Sequence, residues 1–74
     1  MRNSSATSRT FLDVTPDGEV QNAPFETTVS SRWIDSHPAV KLESGVVHAG
    51  WGPGAVEYEV LNSEFGYYYL QKIA

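Results

Sequence analysis

The sequence predicts an all-β domain: a small antiparallel meander of five to six short strands, curled toward a barrel, with one short helical turn and a disordered N-terminal tail. Three observations carry this prediction. Val56, Tyr58 and Val60 alternate with Glu57, Glu59 and Leu61, the period of two of a strand with one dry face. Turn-forming clusters recur at Thr15-Pro16-Asp17-Gly18, Glu43-Ser44-Gly45, Gly52-Pro53-Gly54 and Asn62-Ser63-Glu64-Phe65-Gly66. The one stretch that suits a helix, beginning at Ser30 or Ser31, is stopped by Pro38, because the residue before a proline is pushed out of the α region.

In chain order, residues 1–10 (MRNSSATSRT) hold almost no apolar side chain and read as a disordered tail, with residues 11–74 as a single β domain. The head lacks the apolar segment of a secretory signal, which points to the cytoplasm. Its Ser, Thr and Arg content without acids also suits a transit peptide, for which it is short, and Asn3-Ser4-Ser5 matches the glycosylation sequon by chance. Phe11 to Val14 and Glu19 to Gln21 flank Thr15-Pro16-Asp17-Gly18, where Pro at the second place and Gly at the fourth suit a type I turn, so a short hairpin is expected. Phe25, Thr27 and Val29 then alternate with Glu26 and Thr28, a strand whose apolar side can join the core. Ser30 or Ser31 caps the helical turn that carries Trp33 and Ile34 over an open end of the sheet. Ala39 to Leu42 forms another strand, turned at Glu43-Ser44-Gly45 into Val46.

The last third, Val46 to Ile73, reads as three antiparallel strands with a register. Leu61 opposite Tyr67 sets Val60 against Tyr68, Tyr58 against Leu70 and Val56 against the stem of Lys72, leaving one face wholly apolar. A slip of one residue would drive carboxylates into that face. A four-residue loop, Gly52 to Ala55, places Trp51, Ala49 and Val47 on the dry side and His48 opposite Glu59 on the wet one; a three-residue loop would reverse this, and the longer loop is preferred because it buries Trp51 instead of His48. The wet face then collects His48, Glu59 and Tyr69 in one row, with Glu57 and Tyr67 beside it.

Seventy-four residues form one small domain, and a chain this short buries only about 60% of its unfolded surface. Without cysteine there is no disulfide, and two histidines without thiolates make a structural zinc a poor expectation, so packing or self-association must supply the stability. Nine aromatic residues suit either remedy. The net charge of −4 argues against a nucleic-acid binder and favours basic or neutral partners. No apolar run reaches membrane-spanning length.

No motif for a cofactor, a nucleotide or catalysis is present. Gly50, Gly52 and Gly54 are followed by neither a helix nor a Lys-Ser/Thr pair, so they form no phosphate loop. A His beside a carboxylate can act as a general base, but an open sheet face offers neither pocket nor nucleophile. His48, Glu57 and Glu59 have no recognised metal-ligand spacing, and His37, before a proline, reads as a solvated loop residue. Tyr67, Tyr68 and Tyr69 are consecutive, so with Tyr68 in the core the other two face away, unless the N-terminal hairpin or Trp33 covers them.

Gly45-Val46-Val47, Tyr58-Glu59-Val60, Gly66 and Leu70-Gln71-Lys72-Ile73 resemble the later strands of SH3-like small barrels, over about 28 residues. The resemblance implies architecture only, since such barrels host unrelated functions. A small plasmid-borne reductase class with this barrel is similar in length and in its disordered head, but its V-Q-I-Y active-site run is missing, so its activity does not carry over. The expected function is a non-enzymatic module that binds another protein or a second copy of itself through His48, Glu57, Glu59, Tyr67 and Tyr69. Two alternatives stand beside it: a small oligomeric enzyme with a site between subunits, His48 serving as acid or base, and a small acidic inhibitor of a host protein.

Overall fold

A computed structural model describes residues 10–73. Nine of the ten residues expected to form the tail, and the Asn3 sequon, lie outside the described residues. Two short strands, β1 (Asp13–Val14) and β2 (Val20–Asn22), form a hairpin. Its turn is the expected one, closed by Gly18 N–H on the Thr15 carbonyl at 2.9 Å. There follow β3 (Glu26–Ser30), α1 (Ser31–Asp35), β4 (Val40–Glu43), β5 (Val46–Ala49), β6 (Val56–Glu64) and β7 (Tyr67–Lys72). The last five strands form one antiparallel sheet in the order β3-β7-β6-β5-β4.

The helical turn forms where its cap is. Ser30 is extended and its Oγ accepts the Trp33 N–H at 3.0 Å, satisfying one of the donors a helix start leaves open. Ile34 is buried and Trp33 packs partly against the core, as expected of residues that plug the sheet. The turn links the two outermost strands and packs against both. Across five strands at about 4.8 Å spacing those edges would stand about 19 Å apart if the sheet were flat, so the sheet curls. It does not close. Among the described residues no ladder joins β3 to β4, because α1 occupies the seam between them. The antiparallel meander is therefore present, and the closed barrel is not.

The dry face is assembled row by row across the strands. Leu42, Val47, Tyr58 and Lys72 form one row, Val60, Leu70 and Thr27 another, and Val40, Ala49 and Val56 a third. The β1–β2 hairpin lies over this face and adds Leu12 and Val14 to the core of Val47, Ala49, Tyr58 and Leu70. Burying each large apolar side chain contributes about 1.5–3 kcal/mol. Tyr58, fully buried, donates its hydroxyl to the Pro24 carbonyl at 2.6 Å, and burial pushes that hydroxyl up to about 12 from its ordinary 10.0. Lys72 contributes its stem to the dry face and its Nζ to the Ala23 carbonyl at 3.0 Å. The segment before β3 is thus tied to β6 and β7 at two carbonyls.

Both turns of the last third differ from expectation. The chain does not reverse over Asn62–Gly66. Strand β6 runs on to Glu64, and Phe65-Gly66 alone makes the turn, with φ of 51° and 79°. Two positive φ values define the type I′ turn, whose twist matches that of the flanking strands. That turn sets Glu64 opposite Tyr67, which if continued would put Tyr58 opposite Ile73 and turn the apolar sets of β6 and β7 to opposite sides. A bulge at Leu61 removes the mismatch. Past it Val60 faces Leu70 and Tyr58 faces Lys72, two residues from the expected register. An even shift keeps every side chain on its expected face, which is why the face assignments survive and the pairings do not. Asn62 and Ser63 serve this bulge instead of a turn, the Asn62 side chain accepting the Ser63 N–H at 2.8 Å.

The β5–β6 loop runs from Gly50 to Ala55, so Ala49 faces Val56 where Trp51 was expected. Here too the shift is even, and Val47 and Ala49 keep their places in the core. Trp51 does not: it is 58% exposed, because Gly50 N–H is held by the Ala39 carbonyl and Trp51 N–H by the Gly18 carbonyl, drawing the loop off the strand line. Phe25, expected to alternate into the core with Thr27 and Val29, also lies exposed, just ahead of β3.

Candidate functional site

The sheet face away from the β1–β2 hairpin carries all five residues singled out in the sequence. Four outward rows define it. Lys41, His48 and Glu57 form the first, and Glu43, Val46, Glu59, Gln71 and Glu26 cross all five strands in the second. Asn62, Tyr69 and Thr28 form the third, joined by Leu61 from the bulge, and Glu64, Tyr67 and Ser30 the fourth. Successive outward rows stand about 7 Å apart.

The expected row of His48, Glu59 and Tyr69 is not formed, since the three sit in successive rows. The even shift at the β5–β6 loop puts His48 opposite Glu57 instead. His48 Nδ1 lies 2.9 Å from Glu57 Oε2, the two side chains being 42% and 54% exposed. A solvent-facing cross-strand pair of this kind contributes only a fraction of a kcal/mol. An open cleft of about 600 Å³ beside it is lined by His48, Gly50, Val56, Glu57, Lys72 and Ile73 among others, and none of its lining residues is a Ser, Thr or Cys. The carboxylate orients the imidazole.

Tyr67 and Tyr69 are 50% and 37% exposed. The hairpin that was one candidate to cover them packs on the other face, and Trp33, the other candidate, stacks on His37 with ring centroids 4.0 Å apart. His37 is accordingly not a solvated loop residue: its Nδ1 sits 2.6 Å from the Trp33 carbonyl. Beside Tyr69 an open groove of about 560 Å³ runs between Leu61 and the edge strand β3, with Glu26 and Thr28 on its wall.

Leu61, Phe65 and Trp51 are among the exposed residues of this fold that were not singled out as contacts in the sequence. The sequence set Leu61 opposite Tyr67 on the wet face without naming it as a contact; in the structure it sits at the bulge, beside Tyr69. Phe65 is 93% exposed at the tip of the β6–β7 turn, where the Gly66 carbonyl accepts Ser31 N–H at 2.8 Å. A phenylalanine followed by glycine in a turn cluster was the available signal. Trp51 is the third. Among the described residues no group of three or more His, Cys, Asp or Glu is placed to hold a metal ion, and no helix is long and apolar enough to cross a membrane.

Fold and face together define a small all-β protein: an open five-stranded antiparallel meander, lidded on one side by a hairpin and bearing tyrosines and carboxylates on the other. Comparisons with protein families, with curated proteins and with solved structures find no match to this chain.

Proposed function

We propose that the protein is a non-enzymatic binding module that docks a basic protein partner on its outer sheet face, with Tyr67, Tyr69, Glu57, Glu59 and His48 as the contact residues. One observation carries the reading: two tyrosines stay exposed on the face that the chain's own hairpin leaves bare. Each ring offers a large contact area on two rotatable bonds, with a hydroxyl for a polar partner. Charge selects the partner. The outward rows hold Glu26, Glu43, Glu57, Glu59 and Glu64 against Lys41 and a histidine. Two copies laid face to face would oppose carboxylate to carboxylate, which disfavours self-association through this surface and favours a lysine- or arginine-rich partner. The same proposal takes the curled sheet as an SH3-like barrel left open at the β3–β4 seam, supported by the packing of α1 against both edges.

Amide resonances of the protein, followed while a lysine- and arginine-rich peptide is added, test the reading. The shifts are expected to gather on β6 and β7, to shrink with added salt, and to require about ten-fold more peptide in Tyr69→Ala. An unchanged affinity in Tyr69→Ala would sink the proposal. So would a solution mass of twice 8.2 kDa that falls to one chain in the same variant, since a second copy would then hold the face.

A further inference from the structure

Trp51 sits at the end of β6 opposite the Phe65-Gly66 turn, away from the tyrosine rows. It is exposed, yet its ring is held. A Cβ placed on Gly18 would lie 2.6 Å from Trp51 Cε3 and 2.9 Å from Cδ2, so the indole rests directly on the bare Cα of that glycine. Gly18 also has φ of +94°, a conformation side chains other than glycine rarely adopt. With Trp51 N–H donating to the Gly18 carbonyl at 2.9 Å, the ring is fixed by the fold before any ligand arrives, which lowers the entropic cost of binding on it.

Beside the ring opens a groove of about 370 Å³ lined by Asp17, Glu19, Val20, Pro53 and Gly54 as well as Gly18 and Trp51. The ionisable groups in that lining are both carboxylates. Thr15 braces the turn that carries them: its Oγ1 donates to the Asp17 carboxylate and accepts the Glu19 N–H at 2.9 Å, while its N–H donates to the Glu19 carbonyl at 2.8 Å. An indole face attracts cations through its quadrupole, and carboxylates at its border accept hydrogen bonds from the same cation.

We propose that this groove takes an arginine side chain of a partner protein, the guanidinium lying over Trp51 with its N–H groups toward Asp17 and Glu19. Val20 and Pro53 receive the methylene stem. Guanidinium fits better than ammonium because it is planar, stacks on an aromatic face and sheds water more readily. The inference stands apart from the sheet face, since no residue of the groove belongs to the outward rows.

The test uses the whole chain and a blocked Gly-Arg-Gly peptide, with the same peptide carrying neutral citrulline or lysine in place of arginine. The Trp51 indole N–H resonance, assigned by its loss in Trp51→Phe, and the Gly18 amide are followed as peptide is added. The arginine peptide is expected to shift both to saturation, with the citrulline peptide at least about five-fold weaker. Asp17→Asn combined with Glu19→Gln is expected to weaken the arginine peptide by a similar factor while the sheet resonances stay in place. Equal binding of citrulline, or the absence of a saturable shift at Trp51, overturns the site. Lysine binding as tightly as arginine overturns the assignment to guanidinium.

Discussion

The two faces of β7 are separated by one residue and do opposite work. Tyr68 and Leu70 point into the core, Leu70 almost wholly buried, while Tyr67 and Tyr69 on the same strand stand half in water. The composition of the two sets is nearly the same, so hydrophobicity alone does not decide which tyrosine is core and which is surface. Register decides it. The dry face needs its rows in phase from β4 to β3, and β6 stays in phase because one residue, Leu61, is left out of the ladder as a bulge.

That bulge is the first place to probe the contrast. Deletion of Leu61 is expected to be tolerated: with Glu64 still opposite Tyr67, the shortened strand pairs Val60 with Leu70 and Tyr58 with Lys72 without a bulge, so the apolar sides of β6 and β7 stay together. Leu61→Ala, which keeps the count, is expected to move stability by less than about 0.5 kcal/mol, as the side chain is 53% exposed. Urea denaturation of both variants checks the pair; a deletion that unfolds the domain would show that the bulge is needed for more than keeping β6 and β7 in phase.

The largest effect on stability is expected within β7 itself. Leu70→Ala removes a fully packed side chain and is expected to cost about 2–5 kcal/mol. Tyr69→Ala is expected to cost less than about 1 kcal/mol while weakening the basic partner. Similar losses of stability in the two variants would mean that the outer face is a structural surface and would remove the reason to read it as a docking site.

Tyr58 sharpens the contrast by chemistry. Burial holds its hydroxyl above the ordinary range of a phenol. Because the folded value, about 12, lies above the unfolded value near 10, the unfolded chain releases this proton first. Stability from this group is full below about pH 10 and declines as pH rises toward 12, by at most about 1.4 kcal/mol per unit. Tyr58→Phe is expected to lose about 1–3 kcal/mol at neutral pH, because the Pro24 carbonyl is left without its donor, and to lose this part of the alkaline slope. Denaturation midpoints at pH 7 and pH 10.5 measure both effects, and an unchanged slope in Tyr58→Phe would assign the alkaline loss to other groups.

The inner face was legible in the sequence because alternation is a property of each strand alone: Tyr58, Val60, Tyr68 and Leu70 fall on one side however the strands are slid by two. What local pattern does not carry is the slide itself. Asn62-Ser63 reads as a turn by composition, yet its neighbours Phe65-Gly66 supply the two positive φ values, and nothing in a phenylalanine announces that it will take one. Trp51 was read into the core because a tryptophan gains most by burial. Its exposure depends on Gly18, thirty-three residues away, and so does the groove beside it. The sequence likewise placed His48, Glu57, Glu59, Tyr67 and Tyr69 on one face correctly, but paired His48 with the wrong glutamate for the same reason.

Phe65 supplies a small effect with the cleanest sign. A non-glycine residue in the left-handed region carries a steric cost of about 1–2 kcal/mol, which asparagine largely escapes and phenylalanine does not. The ring buries almost nothing in return, being 93% exposed. Phe65→Asn is thus expected to stabilise the fold by about 1 kcal/mol or less, visible as a rise in the denaturation midpoint with the slope unchanged. A protein that keeps a strained, solvent-facing phenylalanine at the tip of its longest hairpin keeps it at a cost to stability. If Phe65→Asn is stabilising and also lowers affinity for the basic peptide, the contact surface extends from Tyr67 around the turn. A destabilised variant would instead show that the ring packs in solution and that the tip belongs to the structural side of the contrast.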